Sequence, residues 1–599
     1  APAMAASEKK VGSSEKNGAP PSKRAKVVTE EPAPIVPAAS LEARVGALRK
    51  AFESHSPYPL VVIDAVAPDP ELLDEARREL VSNLKAAFKE TDLFKVYQVP
   101  EDLGALTAAT DATLRHLRRL RDDLYDPKFR DLVSKITNAG PLSDRIDCSA
   151  NVYAQGGHLL CHDDVIGTRA VSYVLYLTDE TWTAEDGGCF EIFDTLTTEG
   201  EPPEPSPVPC ARVLPAWNSL LLFGVAPGRS FHAVQEVYAR GKPRLTISGW
   251  YHRAEQQQDE SALQVKQNPS TLDQQKAGEP ATVAPGFFPP FEDGAVEELT
   301  AADIAELRAW VSDEYLTPEA QLLVRQKFAD ESSALLERFV RDDGLAAAIR
   351  ASGRHADDAD GLGFDHTDDD DDDDVMATAP RDAAGVSGAW RVVGPPHKRR
   401  YLVLNNGESH PLGALKTRTQ TPAFRKLLAA LTGVRTTTSA RSQIRRFRPG
   451  LDYVVAYPRD EPARLDATFC FLSRGYEKDA EEDLFETGDV GGFETYLCGS
   501  SSPGDGKSAR DDVYEVDDNG EEDGDHLLTV HAAHNTLSLV LRDPGTLRFV
   551  KFLSARAPGS RWDLELVAEL HPDDVPDDDL GEEDDEEEEP EEEAAEEAD

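Results

Sequence analysis

The 599-residue chain has little of what staples or anchors a protein. Its six cysteines (Cys148, Cys161, Cys189, Cys210, Cys470, Cys498) form no CxxC pair and share no regular spacing. That argues against a disulfide framework or a zinc site, and for reduced thiols. No run of about 18 apolar residues occurs, the length a helix needs to cross a bilayer, so no membrane span is expected. The N-terminus carries no apolar signal-peptide core. Positive charge is scarce as well: 63 Lys and Arg face 112 Asp and Glu, a net charge of -49. No direct contact with nucleic acid is expected of such a balance.

The acidity is uneven. Asp573 to Asp599 is almost all Asp and Glu, and Asp368 to Asp374 is an unbroken Asp run. Like charges repel and stay solvated, so both segments are expected to be disordered. Such a tail can attract a basic protein partner, a ribosomal protein or histone for instance, or simply keep the chain soluble. At the other end, Lys9-Lys10 and Lys23-Arg24-Ala25-Lys26 resemble a bipartite nuclear import signal. Nucleus and cytoplasm are the expected locations.

Apolar periodicity divides the rest. Residues 1–38 read as a disordered basic tail. A helical face at Leu41, Val45, Leu48 and Phe52 precedes a strand over 59–66 and helices over 70–88 and 106–136, the latter broken near Pro127. From 149 to 252 the pattern changes to short strands at 170–177, 189–193, 219–223 and 244–252. A Gln/Pro/Ala-rich linker over 255–290 follows, then helices from 297 to 349 and strands over 388–568. The expected organisation is a first domain at 39–254, a second at 291–570 with an Asp-rich insert near 356–376, and an acidic tail at 571–599. Fold class is α+β to mostly β.

His162-Asp163-Asp164 contains His-x-Asp, and His232 lies far downstream in SFHAV. Two imidazoles and one carboxylate on one face of an ion are the ligand set of non-haem Fe(II) oxygenases. Residues i and i+2 share a side of an extended chain, so His162 and Asp164 can reach one ion together, although Asp163 competes as the carboxylate. Alone, His-x-Asp is more often a surface loop. Arg244, Thr246 and Ser248 share one face of an alternating strand, where guanidinium could grip a carboxylate through two parallel bonds. Alone, this too reads as an ordinary half-exposed strand.

Together the elements resemble the double-stranded β-helix 2-oxoglutarate oxygenases. The strings LLCHDDVIGTR, YVLYL, PAWNSLLLF, SFHAVQEV, RLTISGWYH and, upstream, DLFKVYQ are similar to the prolyl 3-/3,4-hydroxylase family of Fe(II)- and 2-oxoglutarate-dependent oxygenases. The resemblance implies iron held by His162, Asp164 and His232. It implies 2-oxoglutarate bound through Arg244 and Tyr176, with ascorbate as a supporting reductant. Alternation sets Tyr176 with Ser172 and Val174, away from Tyr173 and Leu175; a plain core tyrosine is the alternative. The implied activity is peptidyl-prolyl hydroxylation by a dioxygenase, on a small-subunit ribosomal protein, with an effect on translation. Another protein or nucleic-acid substrate, or a purely oxygen- or 2-oxoglutarate-sensing role, is the alternative.

The C-terminal half can be laid on the first, which predicts two tandem double-stranded β-helix (jelly-roll) domains with flanking helices. RLDATFCFLS at 464–473 matches RAVSYVLYLT at 169–178, setting Phe471 on Tyr176. Tyr457 and Arg459 then fall on His162 and Asp164, Phe549 on His232, and Arg561 on Arg244. No ferrous triad can form from such residues. The second copy is expected to be non-catalytic, serving recognition or packing.

Overall fold

The computed structural model describes residues 33–99, 103–107, 113–254, 268–279, 286–289, 298–363, 381–405, 409–459, 461–475, 484–498 and 526–575. The alternating runs fold into two antiparallel sheets of eleven strands, each curled as a double-stranded β-helix. The first holds β1 (Leu60–Asp64), β2 (Ala87–Glu90), β3 (Phe94–Gln98), β4 (Cys148–Tyr153), β5 (His158–His162) and β6 (Arg169–Tyr176). It continues with β7 (Phe190–Leu196), β8 (Glu204–Val213), β9 (Ser219–Gly224), β10 (His232–Val234) and β11 (Arg244–His252).

The second holds β12 (Ser333–Leu336), β13 (Trp390–Val393), β14 (Arg399–Leu404), β15 (Thr436–Phe447), β16 (Tyr453–Val454) and β17 (Arg464–Leu472). Then come β18 (Glu494–Leu497), β19 (His526–Val530), β20 (Thr536–Arg542), β21 (Leu547–Val550) and β22 (Arg561–Leu570). The first sheet runs β1-β9-β6-β11-β4-β3-β5-β10-β7-β8, and the second has the same order with every number raised by eleven. Even a turn repeats. Asn218 and Asn535, both at positive φ, use their side-chain oxygens to accept the amides of Ala67 and Val340.

Each strand of β6 and β11 divides its side chains between two environments. Tyr173, Leu175, Leu245 and Ile247 face the helices Val45–Ser54, Pro70–Asn83, Arg115–Leu124 and Pro127–Thr137 in the main core. At about 1.5–3 kcal/mol per fully buried apolar side chain, this packing fixes the register. Tyr176 instead turns inward, against Tyr58, Phe190 and Phe223.

Several expected boundaries move. The helix expected over 70–88 ends at Asn83, and Ala87–Glu90 pairs with β3 as a strand. Asp126 caps a new helix at Pro127, accepting from the Lys128 amide. The segment expected as tail is ordered from residue 33: Ile35 and Val36 are buried and the Val36 amide bonds Asp123 at 3.2 Å. Residues 356–360, assigned to an Asp-rich insert, close the helix Leu345–Asp360, where buried Asp357 holds Arg446 at 2.7 Å. At the C-terminus, Asp574 accepts from Arg435 at 2.8 Å and so belongs to the fold. The remainder of both tails and of the Asp run lies outside the described residues.

Within the expected linker, Thr271–Lys276 is a helix capped by Ser270. It lies between the sheets: the Thr271 amide bonds Asp163, and Glu279 pairs with Arg399 at 2.7 Å. No helix among the described residues is long and apolar enough to cross a membrane.

Candidate active site

β5 ends on His162, and β10 sets His232 directly opposite it in the ladder. The imidazole centroids are 4.2 Å apart. Asp164 lies past the end of β5, at φ 62°, so the reason inferred from an extended i, i+2 pair does not hold. A left-handed residue after the strand is what turns its carboxylate back over the imidazoles. Oδ1 lies 3.3 Å from His162 Nε2, and Oδ2 lies 3.6 Å from His232 Nε2.

The competing carboxylate points elsewhere. Asp163 is buried and accepts from both the amide and the hydroxyl of Thr271, each at 3.0 Å. Among the described residues, His162, Asp164 and His232 are the one cluster of three potential metal-binding groups, with donor atoms within 4.8 Å of one another.

The surrounding bonds orient the three side chains. Nδ1 of His162 and of His232 sit 2.9 Å and 2.8 Å from the carbonyls of Leu160 and Ser230. Donation there leaves each Nε2 lone pair facing the shared centre, the usual second-layer arrangement of metal-binding histidines. Asp164 Oδ2 accepts from Ser172 Oγ at 2.9 Å and Trp250 Nε1 at 3.1 Å. Burial works against the Asp164 carboxylate, but His232 and His162 beside it pull its pKa well below the ordinary range. Burial, and the His162 ring next to it, lower His232 to about 4. Two imidazoles crowded round one anion suit a divalent cation.

Arg244 lies deeper in the same cavity, fully buried. Its Nε donates to the Gly188 carbonyl at 2.7 Å, and its terminal nitrogens lie towards Tyr176 with no carboxylate paired to them among the described residues. A Cβ on Gly188 would lie 2.7 Å from Arg244 Cδ, so only glycine admits this side chain. The guanidinium stands 5.3 Å from the Tyr176 ring, and among the described residues the buried Tyr176 hydroxyl has no hydrogen-bond partner of good geometry, only the nearby Arg244. A buried hydroxyl beside a guanidinium fork that no carboxylate holds fits one end of a dicarboxylate. The cavity measures about 510 Å³.

A family described as the 2OG-Fe(II) oxygenase superfamily matches residues 148–252. The family described as Oxoglutarate and iron-dependent oxygenase degradation C-term matches residues 302–575. Prolyl 3,4-dihydroxylase OGFOD1 of Ostreococcus tauri is 37% identical over 534 residues, covering 85% of this chain and 94% of that protein. This chain belongs to the OGFOD1 prolyl hydroxylase family. As an OGFOD1-family member it is a 2-oxoglutarate-dependent dioxygenase. Prolyl 3-hydroxylase OGFOD1 of Xenopus laevis is 26% identical, covering 84% of each chain. A Pseudomonas putida prolyl-4-hydroxylase structure aligns at 21% identity over 35% of this chain and 99% of its own, with a TM-score of 0.24.

In this OGFOD1-family site, reading the sequence missed Ser172, Trp250, Arg169 and Thr271. Trp250 simply continues the alternation Arg244, Thr246, Ser248, and Arg169 stacks on its ring at 3.4 Å. Ser248 accepts from Asn151 at 2.8 Å, which fixes its oxygen while its O–H can still donate into the cavity. Thr271 comes from the linker, and no local pattern marks it.

The second sheet corrects two matches. β6 carries a bulge opposite Tyr251–His252 that β17 lacks, so Cys470 occupies the place of Tyr176, not Phe471. The link into β21 is one residue shorter, and Arg548 pairs with Tyr496 as His232 pairs with Ile192. Arg548, not Phe549, takes the place of His232.

Proposed function

We propose that this protein hydroxylates prolyl residues of a protein substrate, using Fe(II) and 2-oxoglutarate held in the first sheet. The observation that carries this reading is one cavity in which His162, Asp164 and His232 converge while Arg244 and Tyr176 keep unused donors. His162, Asp164 and His232 would hold the iron, and the terminal nitrogens of Arg244 with the Tyr176 hydroxyl would grip the far carboxylate of 2-oxoglutarate. The iron with its cosubstrate and O2 supplies the oxidising power for an unactivated C–H bond. The protein's own work is positioning. Leu160 and Ser230 carbonyls lock the imidazoles, Ser172 and Trp250 fix the Asp164 carboxylate, and Phe190, Phe223 and Val174 keep water from the reacting centre.

Curated relatives carry the names prolyl 3-hydroxylase and prolyl 3,4-dihydroxylase, which supports proline as target. The finer reading is a proline of a basic small-subunit ribosomal protein, with ascorbate keeping the iron reduced and the enzyme present in nucleus and cytoplasm. The net charge of -49 suits a basic substrate. Purified protein with Fe(II), 2-oxoglutarate and ascorbate is incubated with proline-containing ribosomal peptides, then analysed by mass spectrometry. Gain of one or two oxygen atoms on a proline, lost in His162→Ala, is expected. Unmodified prolines alongside an oxidised lysine or nucleotide would overturn the proline assignment.

A further inference from the structure

The second sheet keeps a cavity of about 230 Å³ where the first sheet has its candidate active site. The ladder fixes the correspondence. Val454 pairs with Val550 as Leu159 pairs with Val234. Three and five residues further on, Tyr457 and Arg459 stand where His162 and Asp164 stand. With Arg548 replacing His232, three cation-seeking groups have become a phenol and two guanidinium groups. The charge preference of the site is inverted.

Most of the cations here are already matched. Arg445 holds Asp563 and Glu565, each at 2.7 Å. Arg548 reaches Glu494 and Glu565, each at 3.0 Å. Arg542 holds Asp466 at 2.9 Å. Arg561, the counterpart of Arg244, is closed off by Glu494 at 2.7 Å and Asp563 at 3.1 Å. A dicarboxylate therefore cannot bind here as 2-oxoglutarate would bind Arg244. Cys470 in place of Tyr176 also removes the phenol donor.

Arg459 is the exception. Among the described residues its guanidinium makes one hydrogen bond, from Nη2 to the Tyr457 hydroxyl at 2.9 Å, and no ion pair with a carboxylate. It is half-buried, lines the cavity, and lies 5.3 Å from the Tyr457 ring. Its hydrogen-bond partner among the described residues is a phenol, and the Glu565 and Glu279 carboxylates act on it only at longer range, so a guanidinium drawn out of water here favours a further anion in direct contact. The site already accepts that chemistry: the linker carboxylate of Glu279 takes Arg399 Nη2 at 2.7 Å and lies 3.2 Å from the Tyr457 hydroxyl. Glu279 pairs directly with Arg399, and among the described residues it attracts the Arg459 guanidinium only at longer range.

We propose that this cavity binds a small oxyanion, a phosphate or carboxylate group, on the open guanidinium edge of Arg459 next to Tyr457 and Arg399. The proposal is independent of the oxygenase reading, because it uses no residue of the first sheet.

Isothermal titration of the full chain with inorganic phosphate and, separately, acetate tests it, and selenate-soaked crystals locate the anion by anomalous scattering. Binding of at least one ion is expected, weakened about tenfold or more in Arg459→Ala, as loss of a charge-assisted bond requires. Arg459→Lys should keep part of the affinity, and 2-oxoglutarate turnover should be unchanged in both. Arg244→Ala should leave this binding intact, which separates it from anion binding in the first sheet. Equal affinity in wild type and Arg459→Ala, a selenate peak only elsewhere, or no binding by about 10 mM would overturn the proposal.

Discussion

Thr271, from the segment between the two sheets, holds the carboxylate of Asp163 with both its amide and its hydroxyl, each at 3.0 Å. Asp163 is the residue between His162 and Asp164, so this contact seats the inter-sheet helix on the rim of the candidate iron site. Removing only the hydroxyl, in Thr271→Val, takes one of two donors from the buried Asp163 Oδ1, which keeps the Val165 amide at 3.3 Å, at a cost of about 1–3 kcal/mol. Amide hydrogen exchange over 268–279 should accelerate about 5- to 150-fold, the range that cost implies. Unaltered exchange there would remove Thr271 from any role in seating the helix.

Arg244 and Tyr176 should respond differently with and without cosubstrate. Tyr176→Phe removes a buried hydroxyl that makes no well-formed hydrogen bond among the described residues, so the melting temperature without 2-oxoglutarate should hold or rise slightly. The stabilisation produced by 2-oxoglutarate should shrink in the same variant. Arg244→Lys loses the Gly188 contact and the planar fork together, so 2-oxoglutarate affinity should fall about tenfold or more. Melting curves with and without the cosubstrate give both answers. Full ligand-induced stabilisation in both variants would place 2-oxoglutarate elsewhere.

Asp164→Asn preserves the shape of the carboxylate and removes its charge. The Ser172 and Trp250 bonds can persist on the amide oxygen, so the fold should remain while affinity for Fe(II) drops about 100-fold or more. Metal titration followed by calorimetry measures this. Asp163→Asn should leave metal affinity within a few-fold of wild type, because that carboxylate faces Thr271 rather than the imidazoles. Equal losses in the two variants would contradict the assignment.

Glu236 joins the two sheets and should make their junction sensitive to pH. It is buried, accepts from the Ala555 amide at 2.8 Å and pairs with the Ser554 hydroxyl. Burial raises its pKa to about 7, and those two bonds only partly oppose the rise. The folded chain therefore holds this proton where the unfolded chain has lost it, and stability falls as pH climbs from about 4.5 to about 7. The loss is complete above that range and amounts to about 3 kcal/mol at most. Glu236→Gln mimics the protonated form, so its melting temperature should decline less than wild type between pH 5 and about 8. Parallel declines would show that the carboxyl is not titrating in the fold.

His-x-Asp, the distant His232 and Arg244 at the head of an alternating strand could all be recognised from residue order, because strand periodicity carries through a ladder. The same periodicity set Tyr176 on the inner face. Asp164 was chosen over Asp163 by a positive φ and by Thr271, which arrives more than a hundred positions later in the chain. Counting residues failed by one at both Phe471 and Phe549, since a bulge in β6 and a shortened link before β21 leave the local pattern intact.

Residue order alone determined the two copies, their strand content and the triad with its arginine, because those depend on hydrophobic alternation and on side-chain chemistry. Folding decided which carboxylate faces the imidazoles, which side chain of the second copy replaces each of the first, and that Arg459 forms no direct ion pair among the described residues. Each of those depends on register between strands and on contacts across the two sheets, and short-range pattern is blind to both.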